Sequence, residues 1–174
     1  MKRIVIIGCC GAGKSTLASR LGERLGLPVV HLDRLFWKPG WVEASREEFD
    51  AKLATELEQD AWIIDGNYGR TIARRLAAAD TAILLRFPTI TCLRGIISRR
   101  LKHGRTVRAD MADGCPERFN WEFFRFVMRF NRDSLPGVLR ALDEHRAGRT
   151  VIELHSHREV DAWLATVAPK QVHP

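Results

Sequence analysis

The residues best suited to chemistry lie near the start of the sequence, where positions 8 to 15 read Gly-Cys-Cys-Gly-Ala-Gly-Lys-Ser. The three glycines free the backbone to curl, so that successive N–H groups point at one anion and the helix that should follow adds its positive end. Lys14 can then reach the β- and γ-phosphates of a nucleotide, and the hydroxyl of Ser15 can ligate Mg²⁺. The spacing therefore predicts a nucleoside triphosphate site with Mg²⁺; the family resemblance given below implies that the nucleotide is ATP. The residues expected to hold the nucleotide here are Gly8, Gly11, Ala12, Gly13, Lys14, Ser15 and Thr16.

A second group of candidates begins at position 31, where the sequence reads His-Leu-Asp-Arg-Leu-Phe-Trp. A carboxylate beside large apolar rings suits a substrate pocket, because the rings bind and orient a substrate while the acid acts on it. The acid could orient a substrate hydroxyl, accept its proton or hold magnesium-bound water. We therefore expect Asp33 to be catalytic and to contact substrate together with Phe36 and Trp37. Aspartate is also favoured in turns and at helix starts, so a purely structural Asp33 is the alternative.

Another acid, Asp65, ends the apolar run of residues 62–64 and precedes Gly-Asn-Tyr-Gly-Arg. In a protein with a phosphate loop, an acid at a strand end is the expected partner of Mg²⁺, although Asp-Gly is also a common turn pair. Asn67 and Arg70 follow closely, and we expect both to contact substrate. For Arg70, a solvated side chain is an equally good interpretation.

A run of basic residues without any acid falls between positions 94 and 108. Its members are Arg94, Arg99, Arg100, Lys102, Arg105 and Arg108. The planar fork of arginine suits phosphate, whereas a surface that serves only solubility usually mixes both signs. Residues 103–120 have little periodicity and contain two glycines and a proline, which is typical of a mobile loop. We expect them to form a lid that closes over phosphates, with Arg100 and Arg105 as catalytic candidates; a nucleic-acid patch and a solvated helix face are the alternatives.

Elements that could position these residues follow from the hydrophobic pattern. Short apolar runs predict β-strands at residues 3–7, 28–32, 62–65, 81–87 and 150–154. Helical patterns separate them, and this βαβ alternation predicts a parallel sheet covered by helices on both faces, with ligands at the carboxyl ends of the strands.

Helix boundaries are marked in several places. Capping boxes are predicted at Ser45 with Glu48 and at Ser156 with Glu159, and a helix break is predicted near Asp133 or Ser134, ahead of Pro136. Periodicity also predicts a helix over residues 121–130, packed in the core or a lid. One further helix is predicted by an apolar stripe at helical spacing. That stripe consists of Ile90, Leu93, Ile97 and Leu101.

Composition is ordinary for a globular protein: 174 residues, of which 45% are hydrophobic and 28% charged, suit one domain over residues 1–174. The net charge of +7 favours an anionic ligand. No apolar run approaches the roughly 20 residues that a membrane span needs, so we expect a cytoplasmic protein without a membrane partner. The four cysteines lack the spacing of a zinc site or a disulfide framework, which predicts free thiols.

With these residues assembled, the chain resembles the adenylate-kinase-related group of small phosphate-loop kinases, which includes nucleoside monophosphate kinases and shikimate kinase. Beyond the phosphate loop, four segments look like bacterial proteins of the "topology modulation protein" type. These are residues 31–37, 39–41, 62–68 and 113–118. The resemblance spans nearly the whole chain.

The resemblance implies an α/β fold of three layers, the phosphate-loop NTPase fold, with a five-stranded parallel sheet and a helical lid. It implies an acceptor site within residues 33–60, after the second strand, and an arginine-bearing lid within residues 103–120. By the same resemblance Asp65 orients magnesium-bound water, and His155 and Ser156 border the adenine ring. The related kinases continue with Phe-Pro-Arg where this chain has Asn-Tyr-Gly-Arg, so the resemblance does not identify the acceptor.

Two functions are consistent with these features. An ATP-dependent phosphotransferase, acting on a small-molecule or nucleotide acceptor, would use both strand-end acids and a basic lid. A nucleotide-switched protein that binds DNA and modulates its topology is the alternative, since the basic run could contact nucleic acid. We favour the phosphotransferase, because a lid over the phosphate loop explains the charge without a duplex.

Overall fold

A five-stranded parallel sheet forms the centre of the computed structural model, which describes residues 1–103, 110–112, 114–115 and 120–169. The strands of this sheet and of a separate hairpin are β1 (Arg3–Gly8), β2 (Val29–His31), β3 (Trp37–Lys38), β4 (Val42–Glu43), β5 (Trp62–Asp65), β6 (Thr81–Leu85) and β7 (Thr150–Leu154). The helices are α1 (Lys14–Leu25), α2 (Leu32–Phe36), α3 (Arg46–Leu57), α4 (Ile72–Ala78), α5 (Thr89–His103), α6 (Trp121–Asp133), α7 (Leu135–Glu144) and α8 (His157–Thr166).

The large sheet has the strand order β2-β5-β1-β6-β7, and each neighbouring pair is parallel. Residues 4–7 of β1 and residues 62–65 of β5 are buried, as continuous apolar strands covered on both faces should be. All five expected strands are confirmed. Four ends differ from expectation by one or two residues: β1 runs on to Gly8, β2 begins at Val29 and stops at His31, and β6 stops at Leu85. β2 stops there because Leu32 begins α2, and a proline at position 88 follows shortly after β6.

Register brings the expected acid to the carboxyl edge of the sheet. Asp65 lies opposite Ile6 on β1 and opposite His31 on β2, so the ends of three neighbouring strands meet around one carboxylate. The phosphate loop leaves β1 at the same edge, between Gly8 and the start of α1 at Lys14. The sheet therefore places the loop and both candidate acids side by side.

Helix ends follow the predicted caps. Ser45 and Glu48 form a reciprocal capping box at α3, with Ser45 Oγ accepting from the Glu48 N–H at 3.1 Å. Ser156 caps α8 in the same way, but Glu159 accepts from the N–H of His155 instead of completing the box at Ser156. The break between α6 and α7 falls at Ser134, ahead of Pro136, as predicted.

The apolar stripe expected along α5 is only partly correct. The helix is present, but Ile90, Ile97 and Leu101 are exposed to solvent, Leu101 by 81%. The fully buried side chain of this helix is Cys92, because the helix turns a face with small residues towards the phosphate loop. In α6, Val127 and Phe130 are buried, so core packing holds for one face of that helix.

Contact between α5 and the phosphate loop requires glycine at position 95. A β-carbon built on Gly95 would lie 2.1 Å from the carbonyl oxygen of Gly11, far inside van der Waals contact. The backbone of Gly11 likewise passes close to the carbonyl oxygen of Cys92. The sequence pattern did not reveal this close approach, because the helical signal of α5 does not depend on it.

Two further features complete the fold. Strands β3 and β4 form an antiparallel hairpin that the sequence analysis did not predict, with Gly40 and Trp41 of its turn at positive φ. Across the described residues, no helix combines the length and apolar character that crossing a bilayer requires.

Replacing Gly95 by alanine tests the close approach. We expect G95A to lower the free energy of unfolding by about 1 to 3 kcal/mol, because α5 must move away from the loop. The matched control is Gly137 of α7, which has no heavy atom within 4 Å of a built β-carbon. G137A should raise stability by about 0.5 to 1 kcal/mol. Denaturant unfolding measures both; a G95A protein as stable as wild type would contradict the packing.

Candidate active site

The phosphate loop requires glycine for conformation and for space. Gly8, Gly11 and Gly13 have φ values of 151°, 82° and 89°, which side-chain-bearing residues rarely adopt. A β-carbon on Gly8 would also lie 2.6 Å from the carbonyl oxygen of Leu85. No side chain of the described residues caps α1, so its first N–H groups remain available for an anion.

A cavity of about 750 Å³ opens along the loop and the carboxyl ends of β2 and β5. It is within the usual size of ligand pockets. Ten of the expected site residues line it: Gly11, Gly13, Lys14, Ser15, Thr16, Asp33, Phe36, Trp37, Asp65 and Asn67. Lys14 Nζ donates to the carbonyl oxygen of Cys9 at 3.1 Å, which holds the ammonium inside the curl of the loop. Gly8 and Ala12 are buried behind the lining.

Asp65 is 3% exposed and pairs with a histidine. His31 Nδ1 lies 2.8 Å from Asp65 Oδ1. Burial opposes protonation of the imidazole, but the hydrogen bond to Asp65 and the charge of that carboxylate together raise the pKa of His31 above its ordinary value. The pair orients the carboxylate at the edge of the cavity that both side chains line.

Asp33 lies in the first turn of α2 and accepts a hydrogen bond from a phenol. The Tyr68 hydroxyl donates to Asp33 Oδ1 at 2.7 Å. The centroid of the Tyr68 ring lies 5.0 Å from that of Phe36, and the Phe36 ring is nearly perpendicular to that of Trp37, with their centroids also 5.0 Å apart. Burial raises the pKa of the Tyr68 phenol well above its usual range, and the charge of Asp33 adds to the shift. Tyr68 therefore stays a neutral donor that fixes one oxygen of Asp33.

Asn67 connects the loop after β5 to the phosphate loop. Its Oδ1 accepts from the N–H of Gly8 at 3.3 Å, which requires Nδ2 to face the opposite way. Nδ2 is buried, and no hydrogen-bond partner for it occurs in the described part of the chain. An unsatisfied donor beside a phosphate loop suits an oxygen of a bound phosphate. This observation supports the fit of a nucleotide to the site.

The oxygen ligands expected for Mg²⁺ are Ser15 and Asp65, and both line the cavity. Among the described residues, no group of three or more His, Cys, Asp or Glu side chains could hold a metal. Mg²⁺ commonly binds proteins through one or two side-chain oxygens and completes its shell with water and substrate phosphates. The donor set therefore fits magnesium delivered with a nucleotide.

Several expected residues lie elsewhere. Arg70 is exposed and forms two 2.7 Å hydrogen bonds to Asp50 on α3, outside the cavity lining, so the structure does not bring it to the substrate region. Arg100 is exposed and also outside the lining; its neighbours Arg99 and Lys102 on α5 line the cavity instead. One step along a helix turns a side chain by about 100°, which accounts for the exchange.

The two residues expected to border the adenine ring do not line the cavity. The His155 side chain is exposed and Ser156 is used as the cap of α8, whereas His157 lines the cavity. The His157 ring meets Phe87 edge-on at 4.8 Å and lies 3.6 Å from a β-carbon built on Gly13. His157 was missed because the capping signal at residues 156–159 was read only as a helix start.

Most of the expected lid, residues 104–109, 113 and 116–119, lies outside the described residues, and so does the catalytic candidate Arg105. The described pieces pack on the hairpin. Met111, Ala112 and Cys115 are buried against Trp37 and Trp41. The N–H of Gly40 donates to the carbonyl oxygen of Gly114 at 3.2 Å. This segment therefore reaches the aromatic wall of the cavity through Trp37.

Comparisons with known proteins agree with this geometry. Residues 4–100 match the model of the family described as an AAA domain. No curated protein matches the chain. Shikimate kinase from Acinetobacter baumannii in complex with shikimate superimposes with a TM-score of 0.58 at 15% identity, covering 93% of this chain and 88% of that one. A gluconokinase from Sinorhizobium meliloti 1021 gives 0.52 at 14% identity, covering 96% and 93%. These likenesses confirm the α/β phosphate-loop NTPase fold expected from the sequence.

The neutral Tyr68 phenol predicts a pH dependence of stability. The unfolded chain releases this proton near pH 10, while the folded protein keeps it, so the contribution of Tyr68 is complete below pH 10 and is lost as the pH rises above that value. Below pH 9, Y68F should be less stable than wild type by about 1 to 2 kcal/mol. Urea unfolding between pH 8 and 11 should show the difference shrinking above pH 10; a constant difference would contradict the assignment.

Proposed function

The chain belongs to the AAA domain family, and from that premise we propose that it is an ATP-dependent phosphotransferase that moves the γ-phosphate of ATP to a small-molecule or nucleotide acceptor. The observation that carries the proposal is that the Asp33 carboxylate opens into the same cavity as Lys14, with one of its oxygens already held by Tyr68. A protein that only hydrolysed ATP would need no carboxylate flanked by aromatic rings beside the phosphate loop.

The two ends of the cavity suit two substrates. The phosphate loop, Lys14 and the start of α1 offer N–H groups and positive charge to a triphosphate. Phe36 and Trp37 offer ring faces beside the Asp33 carboxylate, which suits an acceptor that carries both a hydroxyl and an apolar surface. The fold shared with two small-molecule kinases is consistent with this division.

Chemistry in this arrangement follows from the positions of the side chains. The acceptor hydroxyl would donate to the free oxygen of Asp33, attack the γ-phosphorus and give up its proton to that carboxylate, as the bond from the γ-phosphorus to the bridging oxygen of ADP breaks. Lys14 would hold the β- and γ-phosphates during the transfer. Arg99 and Lys102 on α5 would add positive charge on the facing wall.

Magnesium, when bound, would neutralise charge on the β- and γ-phosphates. Ser15 and Asp65 are the residues that would hold it or its water. His31 orients the carboxylate for this role through the 2.8 Å contact. The resemblance of residues 31–37 and 62–68 to adenylate-kinase-related proteins favours placing the chain with those small kinases.

Two substitutions test the proposal. K14A should abolish ADP formation from ATP across a library of hydroxyl-bearing metabolites and nucleotides, because the triphosphate loses its main cationic partner. D33N should lower kcat at least tenfold with the acceptor that wild type selects, while KM for ATP changes little, because the proton acceptor alone is removed.

Matched controls are available on the surface. Lys52 on α3 and Asp60, which precedes β5 at the opposite edge of the sheet, are exposed and lie outside the cavity lining. K52A and D60N should therefore turn over at the wild-type rate. Full activity in K14A or D33N would refute the role assigned to that residue, and a wild-type protein that phosphorylates nothing in the library would count against the function itself.

A further inference from the structure

The most deeply buried charge among the described residues belongs to Arg75 on α4, which is 0% exposed. Its Nη1 donates to the carbonyl oxygen of Gly66 at 3.0 Å, and its Nη2 donates to those of Asn67 at 2.6 Å and Tyr68 at 3.3 Å. Its Nε reaches the hydroxyl of Thr71 at 3.3 Å. Every one of these partners is a neutral oxygen, and three of them belong to consecutive residues.

Such an arrangement is costly for a residue that serves stability alone. Burial lowers the pKa of Arg75 to about 10, against the attraction of the Asp65 carboxylate, so the side chain still carries its charge at neutral pH. Buried ions held without close counter-ions are expensive, and apolar side chains of similar size often fill such places at no loss of stability. The cation therefore needs an explanation in what it organises.

The three carbonyls that it holds belong to a segment with unusual backbone geometry. Gly66 has φ 131°, and Tyr68 has φ 28°, a value rare for a residue with a side chain. Carbonyls of consecutive residues normally diverge, and a single guanidinium that collects all three fixes the turn. Gly66 also has no room for a side chain, since a built β-carbon would lie 2.9 Å from Cβ of Leu32.

Side chains from this same segment reach both ends of the cavity. Asn67 accepts from the N–H of Gly8 in the phosphate loop, and Tyr68 donates to Asp33 at the aromatic end. We propose that Arg75 is a positioning residue that holds residues 66–68 so that the Tyr68 phenol keeps the Asp33 carboxylate oriented within the cavity. The use of that carboxylate in phosphoryl transfer rests on the proposed function; its orientation by Arg75 and Tyr68 does not.

Tyr68 is the only tyrosine in the chain, so the absorbance of tyrosinate at 295 nm reports on this one phenol. In the folded wild type we expect no ionisation in the range where tyrosine ordinarily titrates, with circular dichroism at each pH confirming the fold. In R75M, which removes the guanidinium and keeps a long side chain, loss of the positive charge would by itself disfavour tyrosinate. We still expect Tyr68 to ionise in the folded protein at least one pH unit lower, because the released phenol becomes accessible to water. R75K, which keeps the charge and reaches fewer carbonyls, should fall between them.

The matched control is Arg74, the exposed neighbour on the same helix, and R74M should titrate like wild type. A folded R75M whose Tyr68 titrates like wild type would overturn the proposal. If R75M does not fold, R75K decides: ionisation of Tyr68 below the wild-type range supports positioning. A wild-type titration, or failure of R75K to fold as well, would reduce Arg75 to a residue of general stability and overturn the proposal.

Turnover gives a second readout. With the acceptor that wild type selects, R75M should lose at least tenfold in kcat, because the Asp33 carboxylate is no longer oriented. The absorbance titration needs neither ATP nor acceptor. Absence of phosphotransfer in wild type would therefore contradict the proposed function, while the behaviour of Tyr68 would still decide the role of Arg75.

Discussion

The rest of the site depends on a phosphate loop that curls into the start of α1, which no described side chain caps. This is possible only because glycine occupies positions 8, 11 and 13, where the backbone has positive φ. Gly95 lets α5 pack directly on the loop, and the backbone of Leu85 on β6 lies against Gly8. A curled loop whose three glycines carry no side chain, confined by neighbouring backbone, suits a bound phosphate.

Residues 66–68 link the loop to the aromatic end of the cavity, because they contact Gly8 on one side and Asp33 on the other. The parallel sheet makes this possible, since β1, β2 and β5 end at one edge and bring the His31–Asp65 pair to the edge where the loop begins. The buried Arg75 then ties the connecting segment to α4.

The sequence predicted the five strands, the phosphate loop and both acids, because each depends on local signals: apolar runs, glycine spacing and acids at strand ends. It did not predict which arginines face the cavity. Arg70 pairs with Asp50, and Arg99 lines the cavity where Arg100 was expected, since both outcomes depend on helix rotation and tertiary contacts. Tyr68 and Arg75 were missed for a related reason: their roles arise from hydrogen bonds between segments, which periodicity does not reveal.

Binding of an unreactive ATP analogue, adenylyl imidodiphosphate with Mg²⁺, tests the central claim most directly, because every catalytic role proposed in the cavity assumes a triphosphate in the loop. Isothermal titration calorimetry should give one site per chain in wild type, and the same heat should be absent in K14A. No measurable heat in the folded wild type, or equal binding in both proteins, would contradict the account.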